Sequence, residues 1–188
     1  MVVVTVVDYD PCWPERFQAL RDEYASVLDA AGVTVIGIEH VGSTSVRGLA
    51  AKPVIDVDIV VAEADVAAAS DVLVSLGFRR LGELGIPQRW AFKEPIRLGG
   101  TNTYVVAVGS LALRNHLAVR DTLRANPTLR AEYGAVKKRV GAVAANIDEY
   151  GQGKNGTVQK ILAAAGLSAE ERASIDGNQV PSHDDLPR

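Results

Sequence analysis

Residues 42–58, GSTSVRGLAAKPVIDVD, constrain the fold of this chain more than any other stretch. The second half belongs to a Val- and Ile-rich run over residues 53–61, which predicts a buried strand. Because side chains alternate along a strand, Asp56 and Asp58 project from one face while the aliphatic side chains between them point into a core. Two carboxylates on one face repel each other and are costly to bury without a cation. The pair therefore predicts a divalent metal site, with Mg²⁺ as the usual oxygen-seeking ion.

The first half of the same stretch has the features of a phosphate-binding turn. A short buried strand is predicted at residues 34–38, shortly before Gly42, which lets the backbone turn sharply and approach a ligand. Ser43, Thr44 and Ser45 supply hydroxyl and backbone N–H groups where a short helix can begin, and such a terminus favours phosphate. A phosphate cradle followed by an Asp-x-Asp strand supplies the parts needed for phosphoryl or nucleotidyl transfer.

These motifs resemble those of a known superfamily. Gly42-Ser43, twelve further residues and then Asp-Val-Asp resemble the signature of the polymerase-beta-like nucleotidyltransferases. The longer string HVGSTSVRGLAAKPVIDVDIVV is similar, more narrowly, to the GrpB family, some of whose members are fused to dephospho-CoA kinase. The resemblance runs from about residue 7 to 162 and includes a Tyr-Asp-Pro-x-Trp-Pro-like start, an Arg-Asp helix and a Tyr-x-x-Gly-Lys string. It implies an α/β fold: a small mixed, twisted sheet of nucleotidyltransferase type flanked by helices, with C-terminal helices packed over the site.

Hydrophobic periodicity predicts the other elements. Strands are expected at residues 2–7, 78–81, 88–93 and 101–108. Helices are expected at residues 14–31, 63–76, 110–125, 128–147 and 155–165, with a possible Ser110 cap on the third. The glycine-containing segment 148–156 reads as a flexible loop between the last two helices.

The resemblance also implies a set of phosphate contacts. Arg89 on the strand over 88–93 matches a family arginine, although a solvated charged strand face is an equally good interpretation, and Lys93 is a further candidate there. Arg120 is another candidate for contacting phosphate. For His116, which lies on the same helix face, we predict a packing role. Lys154 lies in a glycine segment that lacks Walker A spacing. The candidates for nucleotide binding are therefore Gly42, Ser43, Thr44, Ser45, Lys52, Arg89, Tyr104, Arg120, Lys137 and Lys154.

The strand over residues 101–108 departs from the superfamily pattern. Related nucleotidyltransferases often carry a third carboxylate on this strand, and GrpB proteins tend to carry a histidine; the matching residue here is Tyr104. A tyrosine can hydrogen-bond to a base or a ribose, but it is a poor Mg²⁺ ligand at neutral pH. The departure leaves open whether the site is catalytic.

Length and composition are those of an ordinary soluble domain. The chain has 188 residues, 47% of them hydrophobic, and we predict one domain over residues 1–167 followed by a disordered tail over 168–188. A net charge of −3 gives no general attraction to nucleic acid or anionic membrane. Cys12 is the single cysteine, and no apolar run reaches membrane-spanning length, so a cytoplasmic location is expected.

Three functional hypotheses follow. The first is a Mg²⁺-dependent transferase that acts on a nucleoside triphosphate and a small-molecule acceptor, with Asp56 and Asp58 as catalytic metal ligands. The second is a nucleotide- or phosphometabolite-binding module that has lost transferase chemistry. The third is another ATP-dependent biosynthetic step on the same scaffold.

Overall fold

The computed structural model of the protein describes residues 4–177. Contacts among these residues define two compact units, and each unit collects segments that are distant in the sequence. We call residues 11–41 and 54–114 the sheet unit, and residues 4–10, 42–53 and 115–177 the helical unit. The single domain expected over residues 1–167 stays a prediction.

The sheet unit is built on five strands in the order β1-β2-β5-β4-β3. Strands β2 and β5 run parallel, and the other three neighbouring pairs are antiparallel. This mixed sheet confirms the predicted fold class. The strands are β1 (Val35–Val41), β2 (Ile55–Val61), β3 (Arg79–Gly82), β4 (Arg89–Lys93) and β5 (Thr101–Ala107).

Helices α1 (Trp13–Ala30) and α2 (Val66–Ser75) flank this sheet. From α1, the fully buried Tyr24 shares a 3.0 Å hydrogen bond with Thr103 on β5. The ring of Phe17 stacks on that of His40 with 4.6 Å between centroids. Thr103 and His40 are both register partners of Val57, so α1 covers the face to which Val57 points. Strand alternation then places the side chains of Asp56 and Asp58 on the opposite face.

The helical unit contains α4 (Pro127–Gly141), α5 (Ile147–Ala164) and α6 (Ala169–Gly177), together with most of α3 (Leu111–Ala125). Its buried core joins the segment after β1 to three of these helices. None of the described helices combines the length and the apolar character that crossing a bilayer requires. The core residues are Val46, Leu49, Leu123, Tyr133 and Ile161.

The predicted strand over residues 2–7 does not form in its described part, residues 4–7. Val7 alone makes an isolated bridge, exchanging two 2.9 Å backbone hydrogen bonds with Ala51. An antiparallel ladder extended in one direction would next require a donor from Pro53, which has no N–H. In the other direction, the N–H of Leu49 already donates to the carbonyl of Val46. Neighbouring backbone therefore limits the pairing to one bridge.

Between residues 128 and 165, the predicted end of the first helix and the predicted start of the second are both wrong. The helix expected to reach residue 147 ends at Gly141, and the expected loop over 148–156 is the first half of α5. The side chain of Asn146 accepts a 2.9 Å hydrogen bond from the N–H of Glu149, whose carboxylate accepts from the N–H of Ala145. This reciprocal capping satisfies exposed donors at the start of α5 and sets the boundary between the two helices.

The tail expected over residues 168–188 is also corrected in part, because α6 occupies Ala169–Gly177. The Ser168 hydroxyl accepts from the N–H of Glu171, and the Glu171 carboxylate accepts from the N–H of Ser168. This Ser-x-x-Glu pair is a capping box, a helix-start signal that can be read from sequence. Residues 178–188 of the expected tail lie outside the described residues.

Candidate functional site

One face of the sheet carries a row of polar side chains from adjacent strands. Asp58 on β2 is paired in register with Glu39 on β1 and with Tyr104 on β5. Asp56, two residues earlier, is paired with Asn102 on β5. Register partners on neighbouring strands point to the same side, so these five residues share the face that α1 leaves uncovered. The predicted common orientation of Asp56 and Asp58 follows from this register.

The two aspartates differ in their surroundings. None of the surface of Asp58 is exposed, whereas Asp56 is half-buried. The side-chain amide of Asn102 donates a 2.8 Å hydrogen bond to Oδ1 of Asp56. One carboxylate of the pair is thus deeply enclosed, and the orientation of the other is held by a neighbouring strand.

Strand β4 brings a cation to the same face. Arg89 is the register partner of Val106, which alternates with Tyr104 along β5. Its guanidinium carbon lies 4.6 Å from the centroid of the Tyr104 ring, within cation–π range. Arg89 is 9% exposed, and its Nε has no hydrogen-bond partner among the described residues. A buried guanidinium with an unused donor, on the same face of the sheet as two carboxylates, is suited to binding an anion.

Tyr104 remains a neutral hydroxyl in this setting. Burial raises the pKa of Tyr104 well above its usual range; Arg89 lowers it, and Asp56 and Asp58 raise it further. A neutral phenol donates and accepts hydrogen bonds but does not supply the anionic oxygen that Mg²⁺ prefers. Tyr104 is therefore suited to contacting a substrate and not to replacing a carboxylate ligand.

The carboxylate oxygens on this face fit a cation that is bound by two protein carboxylates and by a substrate. Asp56 and Asp58 supply hard oxygen donors from one side of a single strand, and Mg²⁺ is commonly held by one or two carboxylates plus substrate phosphates. Among residues 4–175, no group of three or more metal-ligating side chains comes together. Glu39 shares the face, but its carboxylate leans back along β1: a Cβ added at Gly37 would lie 3.4 Å from Oε1 of Glu39.

The predicted phosphate turn lies in the helical unit. Gly42 adopts φ 65° and ψ −172°, a conformation that favours glycine, and Ser43–Ser45 form the expected short helix as one 3₁₀ turn. The Ser45 hydroxyl donates a 2.6 Å hydrogen bond to the carbonyl of Gly42. The carbonyl of Ser45 accepts from Nε and Nη2 of Arg124, at 3.2 and 2.9 Å. The hydroxyl and the carbonyl of Ser45 are thus both engaged in hydrogen bonds within the protein. The neighbouring Ser43 is half-buried.

The remaining candidates occupy helices or the segment before β2. Arg120 on α3 donates to the carboxylate of Asp121 at 2.7 and 3.2 Å, so an anion would compete with this ion pair. Lys137 on α4 is 1% exposed, and its Nζ lies 4.8 Å from the Tyr133 ring centroid. Lys154 lies within helix α5, not in a loop, and its Nζ is 5.6 Å from the Tyr150 ring centroid. Lys52 is half-buried.

The structure therefore brings together four of the predicted residues in the sheet unit: Asp56, Asp58, Arg89 and Tyr104. Asn102 and Arg124 also contact predicted site residues and were not among the candidates. Strand alternation could have found Asn102, which lies two residues before Tyr104 in TNTY. Nothing local indicates Arg124, whose contact with Ser45 spans 79 residues of sequence.

Comparison with known proteins identifies the class. The GrpB protein family matches residues 3–164, and the chain belongs to this family. It is 34% identical over 165 residues to a UPF0157 protein of Halalkalibacterium halodurans, covering 86% of this chain and 82% of that protein. The family match confirms the resemblance that implied the further phosphate contacts, while the residue roles stay predictions.

Solved structures agree with this assignment. The crystal structure of conserved protein GrpB from Enterococcus faecalis superposes with a TM-score of 0.74 at 30% identity, covering 86% of this chain and 96% of that one. The poly(U) polymerase Cid1, in complex with its short product ApU, superposes with a TM-score of 0.51 at 16% identity, covering 70% of this chain and 42% of that one. At that identity the likeness to Cid1 shows a nucleotidyltransferase-type fold alone.

Proposed function

We propose that this protein is a Mg²⁺-dependent nucleotidyltransferase-like enzyme that acts on a nucleoside triphosphate and a small-molecule acceptor. The observation that carries the proposal is the face of the sheet that Asp56 and Asp58 share with Arg89 and Tyr104. Two carboxylates and a buried guanidinium form a charge pattern that matches a metal-bound phosphate.

Each residue of this face has a role in the proposal. Asp56 and Asp58 would hold Mg²⁺, which when bound neutralises charge on phosphate oxygens. Arg89 would donate its unused Nε–H to a phosphate oxygen. Tyr104, kept neutral by burial, would hydrogen-bond to the base or the ribose. The phosphate contacts predicted for the helical unit, Ser43 first among them, remain predictions from the family resemblance.

A small molecule is the favoured acceptor. The chain has a net charge of −3, and only 5% of its residues are aromatic. Single-strand binding sites usually combine a basic groove with aromatic side chains on which bases stack. Neither feature is prominent in this composition, so the proposal does not assign a nucleic-acid acceptor.

The test is calorimetric titration of ATP, CTP, GTP and UTP, with and without Mg²⁺. Wild type is compared with Asp56→Asn/Asp58→Asn, which keeps side-chain size and removes both charges. We expect Mg²⁺-dependent binding of at least one nucleotide by wild type and its loss in the double variant, because the amides are poorer cation ligands. Asp71→Asn is the matched control, since Asp71 is an exposed carboxylate of the sheet unit that pairs with Arg80.

The outcomes separate the hypotheses. The proposal is overturned if wild type binds none of the four nucleotides. It is also overturned if the double variant binds a nucleotide as tightly as wild type does. Where binding occurs, incubation with ATP and candidate acceptors identifies the reaction: pyrophosphate with an AMP-bearing acceptor indicates nucleotidyl transfer, whereas ADP with a phosphorylated acceptor indicates phosphoryl transfer.

A second candidate is a binding module without transfer chemistry. The absence of a carboxylate on β5, with Tyr104 opposite Asp58, favours this alternative. Metal-dependent nucleotide binding with no turnover across the acceptor screen would support it over the enzyme.

A further inference from the structure

The side chain of Asn102 has a position that the proposed function does not explain. Asn102 lies on β5 directly across from Asp56 in the parallel register, and its Nδ2 donates to Asp56 Oδ1 at 2.8 Å. Both residues are half-buried. A hydrogen bond that an ionised carboxylate accepts is stronger than one between neutral groups, and partial burial limits competition from water.

The sheet does not depend on this side-chain bond. Strands β2 and β5 are paired without interruption from Ile55↔Thr101 to Val61↔Ala107, so their backbone groups already hold the register. On the opposite face, the bond between Tyr24 and Thr103 ties β5 to helix α1. The Asn102 amide therefore acts on the direction of one carboxylate more than on the assembly of the strands.

We propose that Asn102 is a positioning residue, which orients the Asp56 carboxylate toward a divalent cation. This inference rests on the proposed function, because it assumes that Asp56 is a cation ligand. The hydrogen bond to Oδ1 restricts rotation of the Asp56 carboxylate before the cation binds. Less conformational entropy is therefore lost when the cation binds. Partners of this kind, one step removed from a metal, commonly set both the orientation and the basicity of the ligand.

The test measures Mn²⁺ binding by electron paramagnetic resonance on the full chain, with and without the nucleotide that wild type binds. Mn²⁺ replaces Mg²⁺ because carboxylate, carbonyl and water ligands suit both ions. Asn102→Leu removes the donor at similar volume, and we expect it to weaken Mn²⁺ binding roughly 10- to 100-fold. Gln18→Leu is the matched control, because it removes an exposed amide that donates to Asp22 in the same unit.

A second variant keeps the shape of the side chain and reverses its chemistry. Asn102→Asp places a carboxylate where the donor was, so the metal-free protein should melt at a lower temperature than wild type through repulsion with Asp56. Mn²⁺ should then raise the melting temperature of Asn102→Asp more than that of wild type, since the cation relieves this repulsion. An equal Mn²⁺-dependent shift in Asn102→Asp and wild type would overturn the inference, because the carboxylates at positions 56 and 102 would then lie away from the cation.

The outcomes distinguish the two proposals. Binding by wild type together with unchanged affinity in Asn102→Leu overturns this inference and leaves the proposed function standing. An equal loss in Gln18→Leu also overturns it, because the effect would not be specific to Asp56. If wild type binds no Mn²⁺ in the presence of any nucleotide, both proposals fail. If Asn102→Leu does not fold, the Mn²⁺-dependent shift of Asn102→Asp decides.

Discussion

Asp58 and Arg89 lie on the same face of the sheet, and both are buried. Burying a carboxylate or a guanidinium away from water costs roughly several kcal/mol unless a group of opposite charge is buried with it. Arg89 therefore balances part of the negative charge that the two carboxylates bring to this face. A bound cation would change that balance, which is why substitutions at Asp56 and Asp58 should alter ligand binding more than folding.

On the other face of the same strands, the Tyr24 phenol is a purely structural group. Burial raises the pKa of Tyr24 to about 12, against a smaller lowering by its hydrogen bond to Thr103. Tyrosine is neutral in both the folded and the unfolded chain below pH 10. Between pH 10 and 12 the unfolded chain ionises Tyr24 and the folded chain does not. The free energy of unfolding should then fall by about 1.4 kcal/mol per pH unit from this group.

Tyr24→Phe tests this pH dependence by urea unfolding at pH 8 and pH 11. At pH 8 the variant should be less stable by about 1 kcal/mol, because Thr103 loses its buried partner. At pH 11 the gap should close or slightly reverse, since wild type has lost about 1.4 kcal/mol from Tyr24 and the phenylalanine has no proton to lose. The same gap at both pH values would contradict the raised pKa.

At the scale of elements, helix boundaries in the helical unit follow side-chain caps more than periodicity. Asn146 with Glu149, and Ser168 with Glu171, begin α5 and α6 where hydrophobic spacing predicts neither start. One glycine within α5 serves packing. A Cβ added at Gly153 would lie 2.5 Å from Cγ1 of Val140 on α4, so this glycine permits the two helices to approach closely.

Gly153→Ala and Gly156→Ala form a matched pair within α5. At Gly156 a Cβ would meet nothing within 4 Å, so alanine should stabilise the helix by up to about 1 kcal/mol. At Gly153 the same gain is opposed by a clash with the stiff Val140 side chain, of order 1–3 kcal/mol. Urea unfolding should therefore rank Gly156→Ala above wild type and Gly153→Ala below it. Equal stabilisation of both variants would show that the helices separate without cost.

At the scale of the whole molecule, each compact unit depends on contacts between distant parts of the chain. The segment after β1 contributes Val46 and Leu49 to a core with α3, α4 and α5, and residue 46 lies 115 positions (161 − 46) before Ile161 in the sequence. Val143, which lies within the helix predicted over residues 128–147, follows the end of α4 and is 79% exposed. Which residues form the core of the helical unit therefore depends on which segments of the chain pack together.

Leu49→Ala and Val143→Ala test where that core lies. Leu49 is 1% exposed, and its truncation should lower the free energy of unfolding by about 2–5 kcal/mol. Val143→Ala should change it by no more than about 0.5 kcal/mol, because its side chain is largely in water. Both values come from one thermal or urea melt per variant. A large loss in Val143→Ala would instead favour the helix over residues 128–147 that the sequence predicts.

The sequence by itself determined the five strands of the sheet, most helices, the family and the common face of Asp56 and Asp58. Alternation and the 3.6-residue period are local consequences of backbone geometry, so they can be read without knowing the partners of an element. Only the tertiary structure decided that Asn102 faces Asp56, that Arg89 stacks on Tyr104, and that Gly153 lies against Val140. These contacts depend on sheet register and helix approach, which are set by residues far apart in the chain.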